Sequence, residues 1–175
     1  MADCAAAVML PAGYKALAAG LLWSRGAQAM ACYRLGRRAD RHGLRPVAEA
    51  LQRASQLLFG IDVSYRADIG PGLALRHGTG TVIGNQVRIG SNVTIFSGVV
   101  LGKRLSGSAE RPDGMPVIGD GVVIGAGACV LGPVTVGPLS FIGANAVVTK
   151  DVPPGCLVTG PSPVYRPGGS PLVAP

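Results

Sequence analysis

Aliphatic residues recur every six positions through the second half of the chain, a spacing that neither a helix nor a simply alternating strand produces. The series runs Ile69, Leu75, then Ile83, Ile89, Ile95 and Leu101, and resumes as Ile118, Ile124, Val130, Val136, Ile142 and Val148. Eight of the twelve are followed directly by glycine, so the chain can turn tightly just past an inward residue. Val63 fits one step earlier. A prism satisfies the pattern: each hexad supplies one short flat strand, one aliphatic points into the shaft, and small residues permit the corner. Three hexads close a coil, so twelve predict four coils, stacked about 4.8 Å apart. The expectation is a parallel β-helix over residues 61–160.

The register breaks twice. Leu75 to Ile83 is eight residues, and the two extra ones fall within Arg76-His77-Gly78-Thr79-Gly80. Leu101 to Ile118 is seventeen, which sends about eleven residues of KRLSGSAERPDGMP out of the shaft as a loop. Such departures from a rigid repeat are where binding and chemistry concentrate.

Residues 1–60 lack the period. Ala-, Leu- and Arg-rich stretches at 14–41 and 46–58 read as helices, broken by His42-Gly43-Leu44-Arg45-Pro46. Leu17, Leu21, Trp23, Met30, Tyr33 and Leu35, with Val47, Leu51, Leu57 and Leu58, are expected to pack and to cap the open end of the first coil. Residues 161–175, rich in Pro, Gly and Ser, read as a poorly ordered tail. Of the sixteen basic residues, seven lie between Arg25 and Arg53, without interleaved aromatics or a binding motif, so a solvated helix face is expected rather than nucleic acid. The net charge of +7 would also favour an anionic small molecule.

Composition excludes several classes. A 48% hydrophobic content rules out wholesale disorder, and 27 glycines without a three-residue period rule out collagen. No apolar run is long enough to suggest a membrane-spanning helix, and MADCAAAVMLPAG lacks the basic start of a secretory signal. Cys4, Cys32, Cys129 and Cys156 are far apart and the two histidines, His42 and His77, are scattered, so no metal site is expected. Reduced thiols suit a cytoplasmic location.

The hexads resemble those of the hexapeptide-repeat acyltransferases, whose shaft is a left-handed β-helix. Within that superfamily the segments AQAMACYRLGRR, FGIDVSYRADIGPG, LALRHGTGTVIG, VTIFSGVVLG, VIGAGACVLG and VTKDVPPG, from about Ala27 to Pro163, resemble serine O-acetyltransferases. The resemblance implies acetyl-CoA as co-substrate, no metal, and a homotrimer with active sites between subunits. It places the general base at His77 and a supporting carboxylate at Asp62. A base within hydrogen-bond reach is what an alcohol attacking a thioester requires, and a carboxylate on the second ring nitrogen fixes the tautomer. The resemblance also puts Ala126 and Ala144 against the pantetheine arm and Lys150 near a CoA phosphate. The helical part is shorter than in typical members, where it supports trimer pairing.

The likeness is incomplete around the acceptor. Where the family carries an aspartate directly before the catalytic histidine, this chain has Arg76; a second histidine aligns with Met115 or Pro116, and a further aspartate with Leu10. The acids answer an amino group, so their replacement favours a hydroxylated acceptor other than free serine, held by Arg76 and Arg111: a sugar or a natural-product intermediate. Genuine serine acetylation for cysteine synthesis, an antibiotic-modifying transferase and a non-enzymatic scaffold remain as alternatives.

Overall fold

The computed structural model describes residues 24–104 and 114–160. Within them the expected shaft is present, made of very short parallel strands. The first turn is β1 (Asp62–Val63), β2 (Asp68–Ile69) and β3 (Ala74–Arg76); the second is β4 (Val82–Ile83), β5 (Arg88–Ile89) and β6 (Thr94–Phe96). The third is β7 (Val100–Gly102), β8 (Val117–Ile118) and β9 (Val123–Ile124), and the fourth β10 (Cys129–Leu131), β11 (Thr135–Val136) and β12 (Phe141–Ile142). A fifth begins with β13 (Val147–Val148), passes through a lone bridge from Val136 to Val152, and ends at β14 (Leu157–Val158). The first face stacks β1-β4-β7-β10-β13, the second β2-β5-β8-β11, and the third β3-β6-β9-β12-β14. Register is direct: Val63 pairs Ile83, Ile83 pairs Leu101, and Val130 pairs both Leu101 and Val148. The shaft therefore extends past the twelve hexads at both ends, with Val63 below and Val158 above.

Packing explains the period. Ile83, Ile95, Leu101, Ile118, Ile124 and Ile142 are at most 1% exposed. Each such burial contributes about 1.5–3 kcal/mol. A second inward position lies two residues earlier in each hexad and is buried as well, at Leu73, Val87, Val93, Val99, Val122, Ala128, Val134 and Ala146. Thr81 and Ser140 occupy it too, because their hydroxyls find carbonyls: Thr81 Oγ1 donates to Phe96 at 3.2 Å and Ser140 Oγ to Pro153 at 2.9 Å.

Two helices, α1 (Arg25–Arg41) and α2 (Arg45–Phe59), lie against the first turn. Arg45 and Pro46 start α2 instead of breaking the chain, since Pro fits the first helical turn. The unpaired edge of the first turn is closed one polar group at a time. Tyr33 Oη donates to the Ala67 carbonyl at 2.9 Å and accepts from the Ile69 N–H at 3.2 Å. Arg34 donates to the Ile69 and Gly70 carbonyls, both at 2.7 Å, and Arg37 to the Ala67 carbonyl and the Asp68 carboxylate. Ser55 Oγ donates to the Ile61 carbonyl at 2.9 Å. Burial pushes the Tyr33 phenol up from its ordinary range, opposed by Arg37 and Arg34.

The cap is thus present, but its chemistry differs from expectation in two respects. Arg34 and Arg37 are edge partners, not a solvated face. Leu57 is 85% and Leu58 70% exposed, and Leu35 of α1 and Val47 are exposed too; the residues α2 buries are Ala48 and Ser55. Met30 and Tyr33 are buried as expected. Leu10, Leu17, Leu21, Trp23 and Arg111 lie outside the described residues.

Candidate active site

The corner between the third and first faces repeats on every turn as a ladder of backbone hydrogen bonds. Gly98 N–H donates to the Thr79 carbonyl, Gly127 N–H to Ser97, and Asn145 N–H to Ala126, at 2.8–3.0 Å. Each regular corner here turns through one left-handed residue: Gly98 (φ 69°), Gly127 (φ 70°) and Asn145 (φ 57°). The first-turn corner has two, His77 (φ 50°) and Gly80 (φ 78°), and this is the physical form of the two-residue register break. The left-handed backbone at His77 costs roughly 1–3 kcal/mol, and Gln86, Asn92, Leu139 and Asn145 adopt it at other corners of the shaft. β3 fixes where the kink begins, since Arg76 still pairs Phe96 in register before the chain swings out.

His77 is exposed and lines a cavity of about 420 Å³ bounded by residues 24–26 and 75–79, where the start of α1 meets the kinked corner. The approach is close: a Cβ on Gly26 would sit 2.4 Å from the Leu75 carbonyl oxygen. Arg76 lines the same cavity, half-buried, with Arg25 opposite on the helix.

Asp62 stands at the start of β1, immediately after this corner in the fold's sense of winding, with its side chain on the outer surface below Val82. Its Oδ1 accepts a hydrogen bond from Gln52 Nε2 of α2 at 2.8 Å. Among the described residues no hydrogen bond joins Asp62 to His77, so the expected dyad is not closed in this chain; the carboxylate is held by the cap. Gln52 was missed, having no signal beyond its place in a helix.

Ala126 and Ala144 fall on the same edge as His77, two and three turns along, and the edge between them carries only Ser, Gly, Ala and Asn. Lys150, exposed, sits at the next corner, past β13, and does not join them. Met115 packs partly buried against the core and Pro116 is buried, so the positions aligned with a second histidine are structural here. No group of three or more metal-ligating side chains occurs among the described residues, nor any helix long and apolar enough to cross a membrane.

A stacked triangular shaft of six-residue repeats is the architecture of hexapeptide-repeat proteins. Residues 115–150 match the family described as bacterial transferase hexapeptide (six repeats), and residues 80–104 the hexapeptide repeat of succinyl-transferase; such repeats fit a left-handed β-helix. A serine acetyltransferase of Helicobacter pylori is 41% identical over 140 residues, covering 80% of each chain. That of Mycobacterium tuberculosis is 42% identical over 135 residues, 77% of this chain but 58% of the relative, so this chain spans little more than half of that protein. The structure of soybean serine acetyltransferase complexed with serine matches with a TM-score of 0.79 at 36% identity, over 91% of this chain and 65% of that one. A serine acetyltransferase in complex with CoA matches at TM-score 0.78 and 31% identity, over 91% and 64%. The chain belongs to the serine acetyltransferase family.

Proposed function

We propose that the protein transfers an acetyl group from acetyl-CoA to an alcohol, with His77 as general base. The observation that carries this reading is the kinked first-turn corner, which presents an exposed histidine at the end of an edge built of small residues. An alcohol holds its proton far above neutral pH, so a base in reach is worth about 10²–10⁴ in rate. The imidazole takes the hydroxyl proton as the oxygen bonds to the thioester carbonyl carbon. The carbon–sulfur bond then breaks, and the same proton returns to the departing thiolate, giving an acetyl ester and a free thiol. Asp62, steadied by Gln52, is the group that supports the imidazolium when the acceptor draws the corner inward. Catalytic contacts commonly tighten only with substrate present.

The glycine and alanine edge suits an extended arm held by backbone groups, with Ala126 and Ala144 beside it. Bulky side chains there would cover the backbone; Gly98 and Gly127 cover nothing. Lys150 meets the same arm only across a subunit boundary, being on another edge. A trimer supplies that boundary. The first and third faces, which meet at the His77 edge, carry exposed Val82, Val147, Phe141 and Leu157, whereas the second carries Asp68, Arg88 and Thr135. Apolar outward faces favour burial against other copies.

The names of the relatives make L-serine the first acceptor to try. Acceptor-dependent thiol release from acetyl-CoA, measured across serine, homoserine and simple sugars, tests the reading. Failure to bind acetyl-CoA at millimolar concentration would instead favour a scaffold.

A further inference from the structure

Among the described residues, the lining of the cavity beside His77 includes two arginines and no Asp or Glu. Arg76 reaches it from the end of β3 and Arg25 from the first turn of α1, and among the described residues neither has an ion-pair partner. The other polar side chains lining it, Ser24 and Thr79, are hydroxyls. Ser24 is engaged at the helix start, where its Oγ accepts from Ala27 N–H. The start of α1 adds positive character of the same sign. The nearest acid of the proposed machinery, Asp62, is outside the lining and is held by Gln52.

An amino-acid acceptor brings a carboxylate and an ammonium together. The described lining offers an ion-pair partner to the first and none to the second. Two guanidiniums on facing sides of one cleft suit the planar, bidentate contacts that carboxylates and phosphates make. We infer that the acceptor is a hydroxyl-bearing anion without a free ammonium group, anchored by Arg76 and Arg25 while its hydroxyl faces His77. This rests on the acetyl-transfer reading above and names its substrate class.

The experiment uses the full chain, acetyl-CoA and acceptors that differ by one group. 3-Hydroxypropanoate is serine without its ammonium, ethanolamine is serine without its carboxylate, and glycerol 3-phosphate and glycerol form a second pair. The expected kcat/KM for 3-hydroxypropanoate or glycerol 3-phosphate exceeds that for ethanolamine and glycerol by at least about tenfold and is not below that for L-serine. The faster of the two anions shows whether carboxylate or phosphate is the anchoring group. Arg76→Gln and Arg25→Gln are expected to shrink the anion-to-neutral ratio, and Arg76→Asp to shift preference toward ethanolamine. A tenfold or greater preference for L-serine over 3-hydroxypropanoate, or a ratio unmoved in all three variants, overturns the inference. Acetylation of glycerol or ethanolamine without acetylation of either anion also overturns it, yet leaves acetyl transfer standing. No thiol release with any acceptor, L-serine included, overturns both.

Discussion

The shaft and its cap solve one problem, unpaired strand edges, in opposite ways. Within the shaft every turn is partnered by the next copy of itself, so one rule of spacing suffices: an inward aliphatic, a second inward residue two positions before it, and a corner. At the first turn there is no further copy. There Tyr33, Arg34, Arg37 and Ser55 each meet a specific backbone group between Ile61 and Gly70, and no periodicity connects them. Repetition makes stability legible and interchangeable. Singular contacts make a defined end, and it is at that end, where repetition lapses, that His77 is exposed.

That contrast can be broken at several points. The largest expected effect comes from restoring the hexad register: deleting Gly78 and Thr79 makes Leu75 to Ile83 six residues. Far-ultraviolet circular dichroism should stay β-rich, while transfer falls by as much as removing the base, about 10²–10⁴. Retained activity would show that the kink is not what presents His77.

In the shaft, Ile124→Ala removes a fully buried side chain from the third turn and should cost about 2–5 kcal/mol by denaturant unfolding. Ile83→Ala should cost a similar amount, since the turns are equivalent; widely different values would break the claim of interchangeability. In the cap, Tyr33→Phe strands the Ile69 N–H and leaves the Ala67 carbonyl with Arg37 alone, with an expected cost of about 1–3 kcal/mol. Hydrogen exchange should localise that loss to the first turn.

The smallest effect is a pH dependence. The Tyr33 phenol is raised mainly by burial, so the folded chain favours its neutral form. Its contribution is fully present below the unfolded value of about 10 and is lost as pH rises from there through the folded value. Stability of the wild type should therefore fall more steeply above that pH than stability of Tyr33→Phe.

What the sequence disclosed follows the same division. The hexads revealed the shaft because every inward position obeys one steric demand. The second inward column escaped notice because Thr81, Pro116 and Ser140 interrupt its aliphatic character while remaining buried. Two register breaks pointed to His77 and to the excursion before Ile118. The cap was foreseen as a cap but misread in detail: an arginine that binds an edge carbonyl and one that faces water look alike in a sequence. Arg34 and Arg37 were read as solvated, and Leu57 and Leu58 as packed, with the reverse outcome. Lys150 could have been placed by counting. Ala126 to Ala144 is three hexads and returns to the same corner, whereas Ala144 to Lys150 is one hexad and moves to the next. The bond from Gln52 to Asp62 joins a helix to a strand across the cap, and no local pattern announces it.

The most direct measurement compares the wild type with His77→Ala for acceptor-dependent thiol release from acetyl-CoA, with oligomeric state followed by light scattering. The account predicts turnover reduced about 10²–10⁴-fold in a protein of unchanged assembly and melting temperature. Undiminished turnover in that variant would remove His77 from the chemistry and contradict the account at its centre.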